Sequence, residues 1–179
     1  MRAAASGRLA WALVSLLVLG LDQATKAQVR HLLPLHDSVT VVPGFVQLTH
    51  VTNRGALFGM LHDLPDPWRS ALFTLVPLLA IVLIVGFQAR TPSGARLAHA
   101  GLALILGGAA GNLADRLRFG QVTDFVDVFV GAHHWPAFNV ADSSICVGVA
   151  LLVLDLLRHS GRASDTGDAA TTSHVPRPL

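Results

Sequence analysis

The chain has 179 residues, of which 52% are hydrophobic and only 13% charged, where a soluble domain carries roughly 25% charged residues. A net charge of +2, scattered along the chain, excludes a nucleic-acid-binding surface. One cysteine, Cys146, excludes an intramolecular disulfide and a cysteine-based metal site, and the lack of any glutamate rules out a His-Glu-x-x-His zinc motif.

Crossing a membrane takes about 20 mostly apolar residues, and four segments are predicted to do so: about 9–29, 70–89, 97–116 and 138–157. The first is uncharged from Leu9 to Leu21 and reaches full length only when extended through Asp22 toward Val29. Its rival reading is a secretory signal peptide. Against that, Asp22, Gln23, Thr25 and Lys26 follow the apolar run where the small residues of a cleavage site belong. Lys26, the only lysine against 12 arginines, reads as a mark of base composition rather than of mechanism.

Residues 36–62 have another texture. Val39, Val41 and Val42, then Pro43-Gly44, then Phe45 to Thr52 predict two short strands around a turn. Val46 and Leu48 alternate with Gln47 and Thr49, as in a half-buried sheet on the outer membrane surface. The second span is interrupted only by Pro77, and the third places Gly107 and Gly111 on one face, where another helix can approach closely. The fold class is therefore an all-α membrane protein, four transmembrane helices with a small extracytoplasmic sheet, over residues 1–158. Residues 159–179, rich in Ser, Thr, Gly, Pro and Asp, predict a disordered cytoplasmic tail. Four spans put both termini on one side, and the arginine distribution makes that side the cytoplasm.

Ionisable groups inside spans are costly and usually pair, face a cavity or act. Asp22, Asp115, Asp124 and Asp142 all fall near the external ends of the spans. Asn112-x-x-Asp115 and Asn139-x-x-Asp142 each put an amide and a carboxylate on one helix face, whether for chemistry or only for hydrogen bonds between helices. Asp124, in a short segment just outside the third span, precedes Asp142 by 18 residues, so the chain can loop back and bring the two together. Two close carboxylates share one proton. The ionised member can take a proton from water while the protonated one donates to a carbonyl oxygen, which suits peptide hydrolysis; which aspartate does which stays open. A proton-coupled transporter would also use intramembrane carboxylates but usually has more helices. A non-catalytic assembly protein would use the glycine face without needing the pair. Asp127 and Asp155 read as surface or interface residues, His133-His134 as a surface loop pair, and Cys146 as helix packing.

Five blocks, in order, carry a resemblance: Asp22 to Lys26, Asn53 to Phe58, Gly107 to Arg116, Gly120 to Asp127, and Trp135 to Ser143. Over roughly Leu9 to Leu157 the chain resembles the lipoprotein signal peptidases, also called signal peptidase II. The resemblance implies a four-helix peptidase of the bacterial cytoplasmic (inner) membrane with a periplasmic β-cradle. Its implied substrate is a prolipoprotein, cut just before a cysteine already carrying diacylglycerol. It also implies catalytic carboxylates at Asp124 and Asp142, site-lining residues at Asn53, Asn112, Asp115, Arg116 and Asn139, and a supporting Asp22. The same family is the target of the cyclic peptide globomycin, and no metal or other cofactor is expected. Physically, the three asparagines either donate to the substrate backbone and oxyanion or support an aspartate. Arg116 can hold a substrate carbonyl or lipid headgroup, and Asp22 and Asp115 read as structural. The glycine face of the third span offers space for small residues ahead of the substrate cysteine.

Overall fold

The structure, a computed structural model, describes residues 2–55 and 65–171. Among these, four helices are long and apolar enough to cross a membrane: Gly7–Leu32, Ala71–Arg90, Arg96–Phe119 and Val140–His159. They belong to α1 (Arg2–Leu32), α2 (Asp66–Arg90), α3 (Arg96–Phe119) and α4 (Val140–Thr171). The helix α3 is central and packs on each of the other three, whereas α2 packs its backbone on α3 alone among these described helices and meets α1 through a hydrogen bond from Arg8 to the Ala89 carbonyl.

Glycine is what lets α3 serve as the hub. A Cβ on Gly107 would stand 2.6 Å from the Ser15 carbonyl oxygen of α1, and one on Gly111 would meet the Asp22 carboxylate. On the α4 side, a Cβ on Gly108 would collide with the Ala141 carbonyl. Gly101 and Gly148 face each other so closely that a Cβ on either would lie 2.6–2.7 Å from the other's carbonyl oxygen. The close approach read from Gly107 and Gly111 is thus present. The expectation that this face leaves space for substrate is corrected: α1 and α4 fill it.

Four antiparallel strands form one sheet in the order β1 (Ser38–Val42), β2 (Val46–Asn53), β3 (Val122–Val130) and β4 (His133–His134). Only the first two were legible as strands; residues 56–62 of the expected β region lie outside the described residues. The sequence Val-Thr-Asp-Phe-Val-Asp-Val-Phe-Val of β3 has no clean alternation and is placed by its pairing with β2. That pairing sets Val51 opposite Asp124 and Asn53 opposite Val122, with an irregularity between Leu48 and Val51. Gly120 ends α3 in the left-handed conformation (φ 69°), its N–H donating to Arg116 O at 2.9 Å, and the chain turns at once into β3.

The described backbone stays helical to Thr171 instead of becoming irregular at 159. No proline interrupts it before Pro176, and Ala163, Ala169 and Ala170 favour helix. Residues 172–179 lie outside the described residues.

Candidate active site

The N-terminus of α4 organises the site. Asn139 precedes the helix, and its Oδ1 accepts from the backbone N–H of Asp142 at 2.9 Å. In return Asp142 Oδ2 accepts from the backbone N–H of Asn139 at 3.2 Å, a reciprocal capping box that fixes both side chains. A third free amide of the first turn, Ala141 N–H, donates to Asp22 Oδ1 of α1 at 2.9 Å. The Asn-x-x-Asp spacing at 139–142 is therefore a helix cap that also presents a carboxylate.

With its Oδ1 engaged, Asn139 points its Nδ2 at Asp124 Oδ1, 2.7 Å away; the same group lies 3.2 Å from Asn112 Oδ1. Asp124 also takes a side-chain hydrogen bond from Asn53, whose Oδ1 is held by Gly55 N–H at 2.8 Å. Across the site, Asn112 Nδ2 donates to Asp142 Oδ1 at 2.7 Å. Asp124 and Asp142 are thus held by one asparagine shell, Asp124 buried and Asp142 half-buried. Burial, then the charge of Asp142, pushes the Asp124 carboxyl up to about 6 against the opposing pull of Asn139, Asn53 and Lys26.

Beneath the pair lies a buried charge cluster. Lys26 is fully buried; its Nζ is 2.8 Å from Asn112 Oδ1, 2.9 Å from Asp22 Oδ2 and 3.5 Å from Asp115 Oδ2. Asp115 accepts from Thr123 N–H at 3.0 Å and from Gln23 Nε2 at 3.1 Å, and lies 3.5 Å from Arg30 Nη1. This carboxylate ties the end of α3 to the start of β3, one residue before Asp124. Such a cluster survives burial only because each charge is paired and hydrogen-bonded. The structural reading of Asp22 and Asp115 fits these contacts.

Lys26 was passed over in the sequence, yet it contacts three of the polar residues singled out there. The signal that would have found it is Asp22 four residues earlier on an otherwise apolar helix, an i, i+4 ion pair. Arg116 is half-buried, its guanidinium 5.9 Å from the Phe73 ring centroid and within electrostatic reach of Asp142, Asp124 and Asp115. Its Nε is buried and has no hydrogen-bond partner among the described residues.

Other expectations are adjusted. Asp127 is buried rather than superficial, accepting from Gln47 Nε2 at 2.7 Å and contacting His134 Nδ1 at 2.9 Å. His133 and His134 form the short exposed β4. Cys146 faces outward from the bundle rather than into its packing. Among the described residues no cluster of three or more His, Cys or Asp side chains stands where it could hold a metal.

A family model described as "Signal peptidase (SPase) II" matches residues 14–158. A protein named lipoprotein signal peptidase from Geobacter metallireducens is 46% identical over 154 residues, covering 86% of this chain and 94% of that protein. One of the same name from Desulforapulum autotrophicum is 46% identical over 145 residues, covering 81% and 90%. Among solved structures, a bacterial membrane enzyme determined by the in meso method superposes with a TM-score of 0.74 at 27% identity, covering 94% of each chain. A second structure so described has a TM-score of 0.74 at 30% identity, covering 83% of this chain and 92% of its own. With the family match spanning most of the chain and relatives this similar, the four-helix membrane protein belongs to the signal peptidase II family.

Proposed function

We propose that this peptidase is an aspartyl endopeptidase that removes signal peptides from diacylglyceryl-modified prolipoproteins, with Asp124 and Asp142 as its catalytic pair. The observation that carries this is Asn139, which hydrogen-bonds Asp124 through one end of its amide and caps Asp142 through the other. Asp124 retains its proton to about pH 6 and is the natural acid, while Asp142 accepts a proton from water as the base. The hydroxide equivalent adds to the scissile carbonyl carbon, and the Asp124 proton goes to the carbonyl oxygen. As the tetrahedral intermediate collapses and the C–N bond breaks, the proton held by Asp142 passes to the departing amine and one hydroxyl proton of the intermediate returns to Asp124, leaving the carboxylic acid and the starting protonation state.

Arg116, half-buried and within electrostatic reach of both aspartates, supports the reading by offering guanidinium donors to a substrate carbonyl. Asn53 and Asn112, whose oxygens are already held by Gly55 and Lys26, act as positioning groups that keep their amide N–H donors toward the carboxylates. An active site facing outward from the bacterial inner membrane, with both termini in the cytoplasm, is part of this proposal; it is supported by the arginine distribution and by the pair's place where the spans meet the sheet. Two acyl chains on the substrate cysteine, each buried methylene contributing about 0.8 kcal/mol, would hold the scissile bond at that depth. A globomycin-type cyclic peptide should compete there.

The test compares lipidated and unlipidated forms of one precursor in the same detergent. Cleavage of the lipidated form, loss of the order of 10³-fold in Asp124→Asn and Asp142→Asn, and near-inactivity on the unlipidated form are expected. Either variant keeping normal turnover while folded would remove the aspartyl assignment. Equal rates on the two precursors would remove the lipid requirement.

A further inference from the structure

At the end of the bundle opposite the aspartates, α1, the α2–α3 turn and the start of α3 enclose a cavity of about 300 Å³. It is lined by Arg8, Trp11, Arg90, Ser93 and His99. Arg8 of α1 and Arg90 of α2 line it from different helices, and among the described residues no acidic side chain does. Arg8 Nη2 donates to the Ala89 carbonyl at 3.3 Å, closing the C-terminal end of α2 and holding the guanidinium, with further N–H donors, beside the cavity.

The second observation is His99, 3% exposed and stacked on Trp11 with ring centroids 5.9 Å apart. Its Nε2 lies 3.2 Å from the Pro92 carbonyl oxygen, which can only accept, so Nε2 carries the hydrogen. The other ring nitrogen, Nδ1, is buried and has no partner among the described residues. With the hydrogen on Nε2, Nδ1 is an acceptor, which a phosphate hydroxyl would satisfy.

We propose that this cavity binds the phosphate of an anionic phospholipid. Beside the arginines, Leu9 and Leu13 of α1 and Leu83 and Phe87 of α2 turn exposed apolar faces outward, where acyl chains would run. A lipid is therefore favoured over free phosphate, which carries the same recognition chemistry without the chains.

The experiment measures thermal protection and native-mass-spectrometric binding of the full chain in neutral detergent with phosphatidylglycerol, phosphatidylcholine or inorganic phosphate. Wild type should be protected most by phosphatidylglycerol. Arg8→Gln with Arg90→Gln should weaken that binding about tenfold or more while leaving precursor cleavage in detergent unchanged. Ser93→Phe, on the exposed turn, should block binding by filling the cavity, so the result does not depend on the arginine variant folding well. Equal binding by wild type and both variants, or no preference for phosphatidylglycerol over phosphatidylcholine, would overturn the proposal. Equal protection by inorganic phosphate would keep the anion site and overturn its assignment to a lipid.

Discussion

Lys26 donates to Asn112 Oδ1 at 2.8 Å, and that contact decides which way the Asn112 amide faces. An ammonium has no acceptor, so the amide oxygen must lie toward Lys26 and the N–H₂ toward Asp142. The same ammonium pairs with Asp22, which caps α4, and with Asp115, which anchors β3.

Replacing Lys26 with Met should therefore act twice. It leaves Asp22 and Asp115 without their buried cation, a loss on the order of 3–5 kcal/mol. It also frees Asn112 to turn its oxygen toward Asp142, which lowers turnover in whatever fraction remains folded. Detergent melting and turnover per folded molecule measure the two effects separately. A variant with wild-type melting would show that the cluster contributes nothing net to stability.

The raised Asp124 carboxyl gives stability a pH dependence of definite sign. An acid with a higher pKa in the folded state binds its proton more tightly when folded. The corresponding stability is fully present below the unfolded value near 4 and is lost as pH rises through about 6. A shift of about two units corresponds to about 3 kcal/mol. Asp124→Asn should remove this slope, melting close to wild type at pH 4 and above it at pH 7.5. Parallel melting curves across that range would contradict the shift.

Asp142→Asn should lower the Asp124 pKa, because it removes the neighbouring negative charge while the burial remains. Infrared titration of the carboxyl band reads this directly, and an unchanged midpoint would mean that the two groups are not coupled.

Glycine contacts offer a purely mechanical test. Gly108→Ala sets a methyl group against the Ala141 carbonyl, at the turn of α4 that presents Asp142. Overpacking of this kind costs about 1–3 kcal/mol and should displace Asp142 from Asn112, so both stability and turnover fall. Gly86→Ala, with open space around the position, should do neither. Gly→Ala raises helix propensity at both positions, so loss of both properties in the second variant would show that the fall is not specific to the Ala141 contact.

The spans and the residues of the site were legible because membrane burial leaves few reasons for an aspartate or asparagine to sit near an apolar run. Asn139 and Asp142 announced themselves by a spacing that turned out to be a helix cap. Lys26 was not legible in the same way, because its role depends on α3 side chains 86 and 89 residues away in sequence. The strand holding Asp124 was missed for a related reason: only the partner β2 makes it a strand, and periodicity sees no partners. The glycine face was recognised correctly as a contact surface, yet a sequence cannot say whether a helix or a ligand occupies it.

The one-sided attachment of α2 has a kinetic consequence. The helices α1, α3 and α4 share the buried polar cluster, so none can leave without exposing charge, and they should open only as a unit. In contrast, α2 is joined to α3 mainly by apolar contact and to α1 by one exposed hydrogen bond from Arg8, with Phe73 wedged against Gly55 and beneath Arg116 as its link to the site. Lipid can replace much of what α2 touches. Its amides should therefore exchange with solvent deuterons sooner than those of α3, through an opening that leaves the capped carboxylates in place.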